Sequence, residues 1–340
     1  MSRAELAPWI AAQNLALLQQ NGHAWLLHGP SGLGQYELAL SMVRAWLCEA
    51  PDSVQQGACA QCPSCHAIEV RAHADLCVLM PETVMLELGW PLSEKAQNEI
   101  DEKKRKPSRE IRIEAMRDAI EFSQRTNARG QGKAVLVYPA ERMNHVTANA
   151  LLKTLEEPPG DVKFVLATHA AHQLLPTIRS RCLAHTMRWP IGSEALSWLA
   201  AQGFSAHDAQ VLLQAAGGRA DDVLRHVALG QSPAWWAAFP KAMAQGDAAC
   251  LANLPPAEVI DALQKLCHDV LMRESGVATR FFSQQDLPHV HPSLATLTAW
   301  FKRLSLAART AEHPFNASLM LEALSSEASQ TLRASAARTS

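Results

Sequence analysis

Short apolar segments alternate with helical segments through the first 190 residues, and this alternation constrains the fold more than any other feature. Each apolar segment is bounded by Gly, Pro or polar turn residues, as buried parallel strands are. The strand candidates are residues 25–28, 75–80, 134–138, 163–168 and 183–189. Helical periodicity predicts helices over residues 37–47, 112–125 and 145–157. We therefore predict an α/β domain, a parallel sheet with helices on both faces.

Past Pro190 the strand signals stop, and the rest of the chain has helical spacing. A chain of 340 residues exceeds what one compact core usually holds, so further domains are expected. We predict a small helical domain, then an Ala/Leu-rich all-α domain, then a short tail. The predicted domains are residues 1–190, 191–235, 236–330 and 331–340.

Residues 82–111 do not fit the alternation and are interpreted as a loop insertion with a short helix. They include Trp90 and a charged run at residues 101–106. The basic part of this run, residues 103–106, could touch DNA, but a solvated loop within an insertion is the favoured interpretation.

Composition excludes several classes of protein. A formal net charge of -2 argues against a broad basic surface for DNA. The first residues have no apolar core of signal-peptide length, and the chain has no run of 18 apolar residues, so we expect a cytoplasmic protein and no membrane contact. In that compartment the eight cysteines are expected to be thiols or metal ligands, and not disulfides.

A glycine-rich segment, GPSGLGQY at residues 29–36, follows a predicted strand and opens a helix, which is the context of a phosphate-binding P-loop. Gly29 and Gly34 allow backbone N–H groups to turn toward a phosphate. Gln35, however, stands where a Lys should contact the phosphates, and Tyr36 stands where a Ser or Thr should hold Mg²⁺. An ordinary βα turn is the alternative interpretation.

The second half of a nucleotide site is also incomplete. The apolar segment 135–138 has the pattern of a Walker B strand, but Pro139 falls where the metal-holding Asp belongs. Phosphoryl transfer depends on that electrostatic cradle. We therefore expect no functional nucleotide site and no ATP hydrolysis by this chain.

Three cysteines, Cys59, Cys62 and Cys65, form a CxxCxxC ladder among loop-forming residues, and Cys48 lies upstream. Four thiolates would hold a tetrahedral Zn²⁺ with no open position, which is typical of a structural site. We predict such a site, with free thiols as the alternative.

The fourth ligand of this site is less firmly fixed by the sequence than the first three. Cys48 is our choice, and His66, His73 and Cys77 are the competitors. Cys77 lies in a predicted strand and is interpreted as a core residue, as are Cys182, Cys250 and Cys267.

Four further segments resemble those of clamp-loader ATPases of the AAA+ class. Residues 149–159, NALLKTLEEPP, look like a helix of that family, and residues 164–168, FVLAT, look like its sensor 1 strand. Residues 175–182, LPTIRSRC, are similar to its Ser-Arg-Cys segment, and residues 73–76, HADL, resemble a tract that follows its zinc module. A zinc ladder before that tract is typical of the bacterial subunits.

The resemblance implies a RecA-like AAA+ domain with the zinc module at about residues 48–66, a helical lid at 191–235 and a helical collar at 236–330. The family's collar joins five subunits into an open ring, which opens the sliding clamp and loads it on primed DNA. The implied partners are tau/gamma and delta subunits, the clamp and, through the complex, primed DNA. The degenerate loop implies the non-hydrolysing type of subunit. The alternative is an active ATPase of the tau/gamma type.

The resemblance gives Arg181, with Ser180 and Cys182, the role of an arginine finger toward a neighbour's ATP. A guanidinium at a γ-phosphate stabilises the charge of the transition state. A surface or salt-bridged arginine is the alternative. Residues 217–222, GGRADD, resemble the family's sensor 2 tract, with Asp221 where an Arg is expected and Arg219 two residues earlier.

The sequence disfavours two other classes of function. A nucleotide kinase is disfavoured because the P-loop Lys and the Walker B Asp are missing. A stand-alone zinc-dependent nucleic-acid binder is disfavoured by the net charge of -2 and by a single closed zinc site.

Overall fold

The computed structural model describes residues 6–311 and 317–333. The chain forms two compact units, which divide between Trp189 and Pro190.

The first unit alternates strands and helices. In chain order its elements are α1 Pro8–Leu18, β1 Ala24–His28, α2 Gln35–Trp46, α3 Ser53–Gln56, α4 Pro63–Glu69, β2 Leu76–Leu79, α5 Glu82–Glu87, α6 Glu94–Asp101, α7 Ile113–Gln124, β3 Lys133–Val137, α8 His145–Glu156, β4 Val162–Thr168, α9 Pro176–Arg179 and β5 Leu183–Thr186. The predicted strands and the three predicted helices all occur, with ends that differ from the predicted ones by at most three residues.

The five strands form one sheet in the order β2-β3-β4-β1-β5, and every neighbouring pair is parallel. In the centre of the sheet Leu26 lies opposite Leu166, and Leu136 lies opposite Val165. The predicted parallel α/β sheet is therefore confirmed.

Both faces of the sheet are covered, because successive strand side chains point to opposite faces. Leu26, Val135 and Leu166 belong to a buried cluster with residues of α7 and α8. Helix α2 packs on β1, β3 and β4, and its Leu38 and Met42 are fully buried. The helices on both faces that the alternation predicted are present.

Strand β5 departs from the prediction of a buried strand. It lies at one edge of the sheet, ends at Thr186 instead of Trp189, and leaves Leu183 44% exposed. Apolar character alone could not distinguish an edge strand from a central one.

The insertion at residues 82–111 contains two helices, α5 and α6, where one short helix was expected. Ser93 caps α6 by accepting a hydrogen bond from the backbone N–H of Ala96. Glu82 joins the two ends of the insertion, because it accepts hydrogen bonds from the guanidinium of Arg105 and the backbone N–H of Ser108.

The second unit contains helices and connecting loops, with no strand among its described residues. Its helices are α10 Gly192–Ala201, α11 Ala206–Ala215, α12 Ala220–Ala228, α13 Pro233–Gln245, α14 Pro256–Glu274, α15 Leu294–Thr310 and α16 Ala317–Arg333. Helix α14 packs against α15 and α16, and α13 packs against α11 and α16.

Two predicted boundaries fall inside helices of this unit. Helix α13 runs through residues 235 and 236, and α16 continues to Arg333 within the segment interpreted as a tail. Residues 334–340 of that tail lie outside the described residues. The division of this unit into a lid and a collar stays a prediction.

Candidate functional site

Four thiols converge between helices α2 and α4. The sulfur atoms of Cys48, Cys59, Cys62 and Cys65 all lie within 4.8 Å of one another. Cys48 lies two residues past the end of α2, and Cys62 is the N-cap of α4, so two helix ends and the loop between them bring the ladder together. This cluster could hold a metal ion, and its all-sulfur composition suits Zn²⁺.

Backbone amides support the charge that metal-bound sulfurs would carry. The N–H groups of Cys59, Cys62 and Cys65 each donate to a sulfur of the preceding ligand, at 3.4 Å. Backbone hydrogen bonds, the first from Gln61, lower the pKa of the Cys59 thiol to about 6. A thiol with a lowered pKa is deprotonated more readily, and the thiolate is the form that binds metal. Burial raises the pKa of the Cys48 and Cys65 thiols, so these two would bind metal as thiolates only with loss of their protons to solvent.

The other ligand candidates do not belong to the cluster. His73 is buried, and its Nδ1 accepts the backbone N–H of Asp75 at 3.0 Å, so Nε2 is assigned the proton that it donates to the hydroxyl of Ser64, 3.1 Å away. Cys77 packs in β2 against the apolar core. Neither Cys77 nor His66 belongs to the group of four converging ligands.

A polar network ties the thiol cluster to the loop before β3. Ser64 donates from its hydroxyl to Glu49 at 2.8 Å, and Arg129 donates to the same carboxylate at 2.9 Å. The carboxylate of Asp75 accepts the backbone N–H groups of Ala128 and Arg129, at 2.7 and 2.9 Å. The His-Ala-Asp tract noted in the sequence therefore fixes the module against the sheet.

The glycine-rich loop leads from β1 into α2 and is closed by the side chain of Gln35. Gly34 has a φ of 81°, a conformation that suits glycine, and begins helix α2. Gln35 is 1% exposed, and its amide donates to the carbonyls of Gly29 and Pro30, at 2.9 and 2.7 Å. Its amide group therefore binds the loop backbone and does not project outward as a phosphate-binding lysine would.

Aromatic side chains fill the space beside this loop. The indole N–H of Trp90, from the insertion, donates to the hydroxyl of Tyr36 at 2.8 Å. The Tyr36 ring lies 5.3 Å from that of Tyr138, at the end of β3, and the Tyr138 hydroxyl is 3.0 Å from Nε2 of His169. Burial raises the pKa of both tyrosines, so both phenols are neutral.

The end of β3 lacks the aspartate expected of a Walker B strand. Pro139 occupies the expected Asp position. The nearby carboxylate of Glu141 accepts the hydroxyl of Thr168 at 2.6 Å and the backbone N–H of His169 at 3.2 Å. Glu141 thus links the end of β3 to the end of β4.

Arg181 lies just before β5 at the surface, with its side chain 29% exposed. Its Nε donates to Glu156 at 2.7 Å, its Nη2 donates to the same carboxylate oxygen, and its Nη1 donates to the carbonyl of Thr177 at 2.8 Å. The neighbouring Ser180 donates to the same carbonyl, whereas Cys182 packs against the core and burial raises its pKa to about 12.

The arginine of the Gly-Gly-Arg tract forms an ion pair with a residue of the helix that it begins. Arg219 is the N-cap residue of α12 and forms an ion pair with the buried Asp222, at 2.6 Å. Asp222 also pairs with Arg225 at 3.2 Å. The charge of Asp222 is therefore neutralised within the unit.

The basic run at residues 103–106 is partly consumed by local ion pairs. Arg105 contacts Glu82 and Glu99, and Lys104 lies 2.5 Å from Glu102. A solvated, internally paired loop accounts for this run.

Two participants were not identified from the sequence. Trp90 is a bulky aromatic residue in a charged segment, and this indicates that it is buried. The sequence does not indicate that its partner is Tyr36. Glu156 ends helix α8, where the helix dipole disfavours a carboxylate, and this signals a cationic partner.

The sheet and the closed loop define a RecA-like AAA+ domain, to which a four-cysteine module is attached. A sequence model of the family described as "DNA polymerase III, delta subunit" matches residues 10–189. The chain belongs to this family.

Curated relatives agree with the resemblance seen in the sequence. The chain is 37% identical over 199 residues to DNA polymerase III subunit delta' of Pseudomonas aeruginosa, a match covering 58% of this chain and 53% of that protein. It is 30% identical over 207 residues to the delta' subunit of Escherichia coli K12, covering 59% and 54%. The predicted similarity to clamp-loader subunits of the delta prime type is confirmed.

More distant similarity extends to other subunits. The tau subunit of Salmonella typhimurium is 33% identical over 161 residues, covering 47% of this chain and 21% of that protein. A gamma subunit-related protein from Thermotoga maritima superposes with a TM-score of 0.48 at 16% identity, covering 96% of this chain and 100% of that one. The chain spans about half the length of the curated delta' relatives that it matches.

Among residues 6–311 and 317–333, none of the helices has both the length and the apolar character needed to cross a membrane.

Proposed function

We propose that this chain is a non-hydrolysing subunit of a bacterial clamp loader, within the DNA polymerase III holoenzyme. The observation that carries the proposal is the Gln35 side chain, which donates to the P-loop's own carbonyls. Membership of the polymerase III subunit family supports this proposal, and the closed loop favours it over an active ATPase of the tau/gamma type.

The chemistry of the loop supports this distinction. A lysine at position 35 would bring a positive charge to the β- and γ-phosphates, and a neutral amide brings none. Tyr36 and Trp90 also pack where a small hydroxyl side chain would leave room for a metal ion. The carboxylate of Glu141, which follows β3, accepts a hydrogen bond from the hydroxyl of Thr168. The lysine, the small hydroxyl side chain and the Walker B aspartate of an active site are replaced by Gln35, Tyr36 and Pro139, which supports a non-hydrolysing role.

Arg181 is proposed to act in trans, on ATP bound by an adjacent subunit. The P-loop of this chain lacks the lysine that would bind a γ-phosphate, so Arg181 has no expected target within its own chain. The guanidinium is partly exposed at the surface. An arginine supplied by a neighbour increases the rate of phosphoryl transfer by about 10³ to 10⁵ where it has been measured. The helices of the second unit are proposed to join this chain to tau/gamma and delta subunits in a ring that loads the sliding clamp on primed DNA.

We also propose that the four cysteines hold one structural Zn²⁺. Four sulfurs fill a tetrahedral coordination sphere, so the ion would have no position for a substrate or water. Its contribution would be to connect helices α2 and α4, and no chemical step is assigned to it.

Nucleotide titration of the purified chain tests the proposal. We expect no saturable ATP binding at micromolar to millimolar ATP and no hydrolysis. ATP turnover by the pure chain that disappears in Gly34→Glu would overturn the proposal and favour an active subunit of the tau/gamma type.

A further inference from the structure

The guanidinium of Arg181 is held by two acceptors that lie on adjacent helices. Glu156 is the last residue of α8 and Thr177 lies in the first turn of α9, and these two helices pack together. Nε and Nη2 both donate to one oxygen of Glu156, and Nη1 donates to the carbonyl of Thr177. The side chain is therefore fixed in one orientation although it lies at the surface.

The bonding pattern leaves part of the guanidinium available. An arginine side chain has five N–H groups, and these contacts use three. Of the remaining two N–H groups, one is on Nη1 and the other is on Nη2. The hydroxyl of Ser180 lies 3.5 Å from Nη1, which is too far for a strong hydrogen bond. Two N–H groups on different nitrogens match the paired oxygens of a phosphate.

From this geometry we infer that Glu156 is a positioning residue for Arg181: it holds the guanidinium so that its two remaining N–H groups meet a γ-phosphate bound by the adjacent subunit. The inference rests on the proposed trans role of Arg181. It goes further by giving a second residue a part in the same reaction, through Arg181 and without contact to the nucleotide.

Two physical effects make a carboxylate suitable for this task. A free arginine samples many rotamers, and a group that must first be ordered contributes less to the transition state than one already in place. Glu156 also lies at the negative end of the α8 dipole, so the helix terminus and the carboxylate attract the same cation. The opposite role would be a mask, in which Glu156 competes with the phosphate for Arg181. The free N–H groups and the 29% exposure of the arginine favour positioning.

The test uses a reconstituted ring in which only the subunit adjacent to this chain keeps its P-loop lysine, so that one ATP site is observed. Glu156→Gln should lower the hydrolysis rate at saturating ATP by about 10-fold and leave the ATP concentration for half-saturation unchanged. Glu157→Gln is the matched control, because it removes the adjacent carboxylate on the same helix end and should retain the wild-type rate.

A double-mutant cycle separates positioning from a general structural role. In an Arg181→Ala background, Glu156→Gln should cause no further loss, since Glu156 acts only through the arginine. The melting temperature should hardly change, because exposed ion pairs contribute little to stability.

The outcomes distinguish this inference from the proposed function. A wild-type rate from Arg181→Ala would overturn the trans role itself. A slow Arg181→Ala together with a wild-type or faster Glu156→Gln would overturn the positioning role alone, and the faster rate would identify Glu156 as a mask. A loss from Glu156→Gln that adds fully to that of Arg181→Ala would also overturn it.

Discussion

The buried histidine of helix α12 makes the stability of the second unit sensitive to acid. His226 is 0% exposed, and neither ring nitrogen has a hydrogen-bond partner among the described residues. Its ring lies 5.3 Å from Trp236. Burial, reinforced by the positive charges of Lys265 and Arg225, lowers the pKa of His226 to about 3 from an ordinary value of 6.5, although Asp261 opposes this shift.

The sign of the effect follows from proton binding. Between pH 3 and pH 6.5 the unfolded chain protonates His226 and the folded unit does not, so acidification favours unfolding in this window. The contribution of neutral His226 to stability should be fully present above pH 6.5 and should fall as the pH drops toward 3. From these two pKa values, the loss between pH 8 and pH 5 is about 2 kcal/mol.

Urea denaturation of the full chain, followed by circular dichroism at pH 8 and pH 5, measures this loss. His226→Gln removes the titrating group, so it should lower the pH sensitivity of the second unit's transition by about 2 kcal/mol. His207→Gln, at an exposed position of α11, is the control and should behave as wild type. Equal pH sensitivity in wild type and His226→Gln would refute the reasoning.

Three further outcomes are expected. Freshly purified protein should contain one zinc per chain by elemental analysis. Cys62→Ser should lose the zinc and unfold at a lower temperature, whereas the control Cys182→Ser should retain it. A zinc-free wild-type protein would contradict the proposed site. Trp90→Ala should destabilise the first unit by about 3–5 kcal/mol in urea denaturation. Trp90→Phe should destabilise it by about 1 kcal/mol, because the hydrogen bond to Tyr36 is lost. An unchanged denaturation midpoint in both variants would show that Trp90 does not stabilise the glycine-rich loop. A chain ending at Gly230, ahead of helix α13, should keep its first unit folded yet fail to enter the ring in native mass spectrometry, and normal entry would refute the collar assignment.

The sequence was most informative where one local signal determines structure. Apolar segments bounded by turns located the strands, because buried parallel strands leave little polar surface. The spacing of Cys59, Cys62 and Cys65 was sufficient to predict convergence of the sulfurs, since a single loop and helix start can present all three. The missing lysine at Gln35 could be recognised because the surrounding glycines fix its position in the loop.

Features that depend on distant contacts could not be predicted. The contact between Trp90 and Tyr36 spans 54 residues, and no local pattern encodes such a pairing. The exposure of Leu183 follows from the position of β5 at the sheet edge, which is a property of the strand order. The hydrogen bonds between Arg181 and Glu156 likewise depend on the packing of α8 against α9, which the sequence does not show.

The most direct test of the central claim is the ATP hydrolysis rate of a reconstituted ring that carries Arg181→Ala in this chain and one competent ATP site in the adjacent subunit. Arg179→Ala, an exposed arginine of helix α9, is the matched control. We expect a loss of about 10³-fold or more for Arg181→Ala, with zinc content and ring assembly unchanged, and no loss for the control. Arg181→Lys should also fail, because a flexible ammonium cannot reproduce the planar guanidinium. A wild-type rate from Arg181→Ala would contradict the account and make Arg181 an ordinary surface residue paired with Glu156.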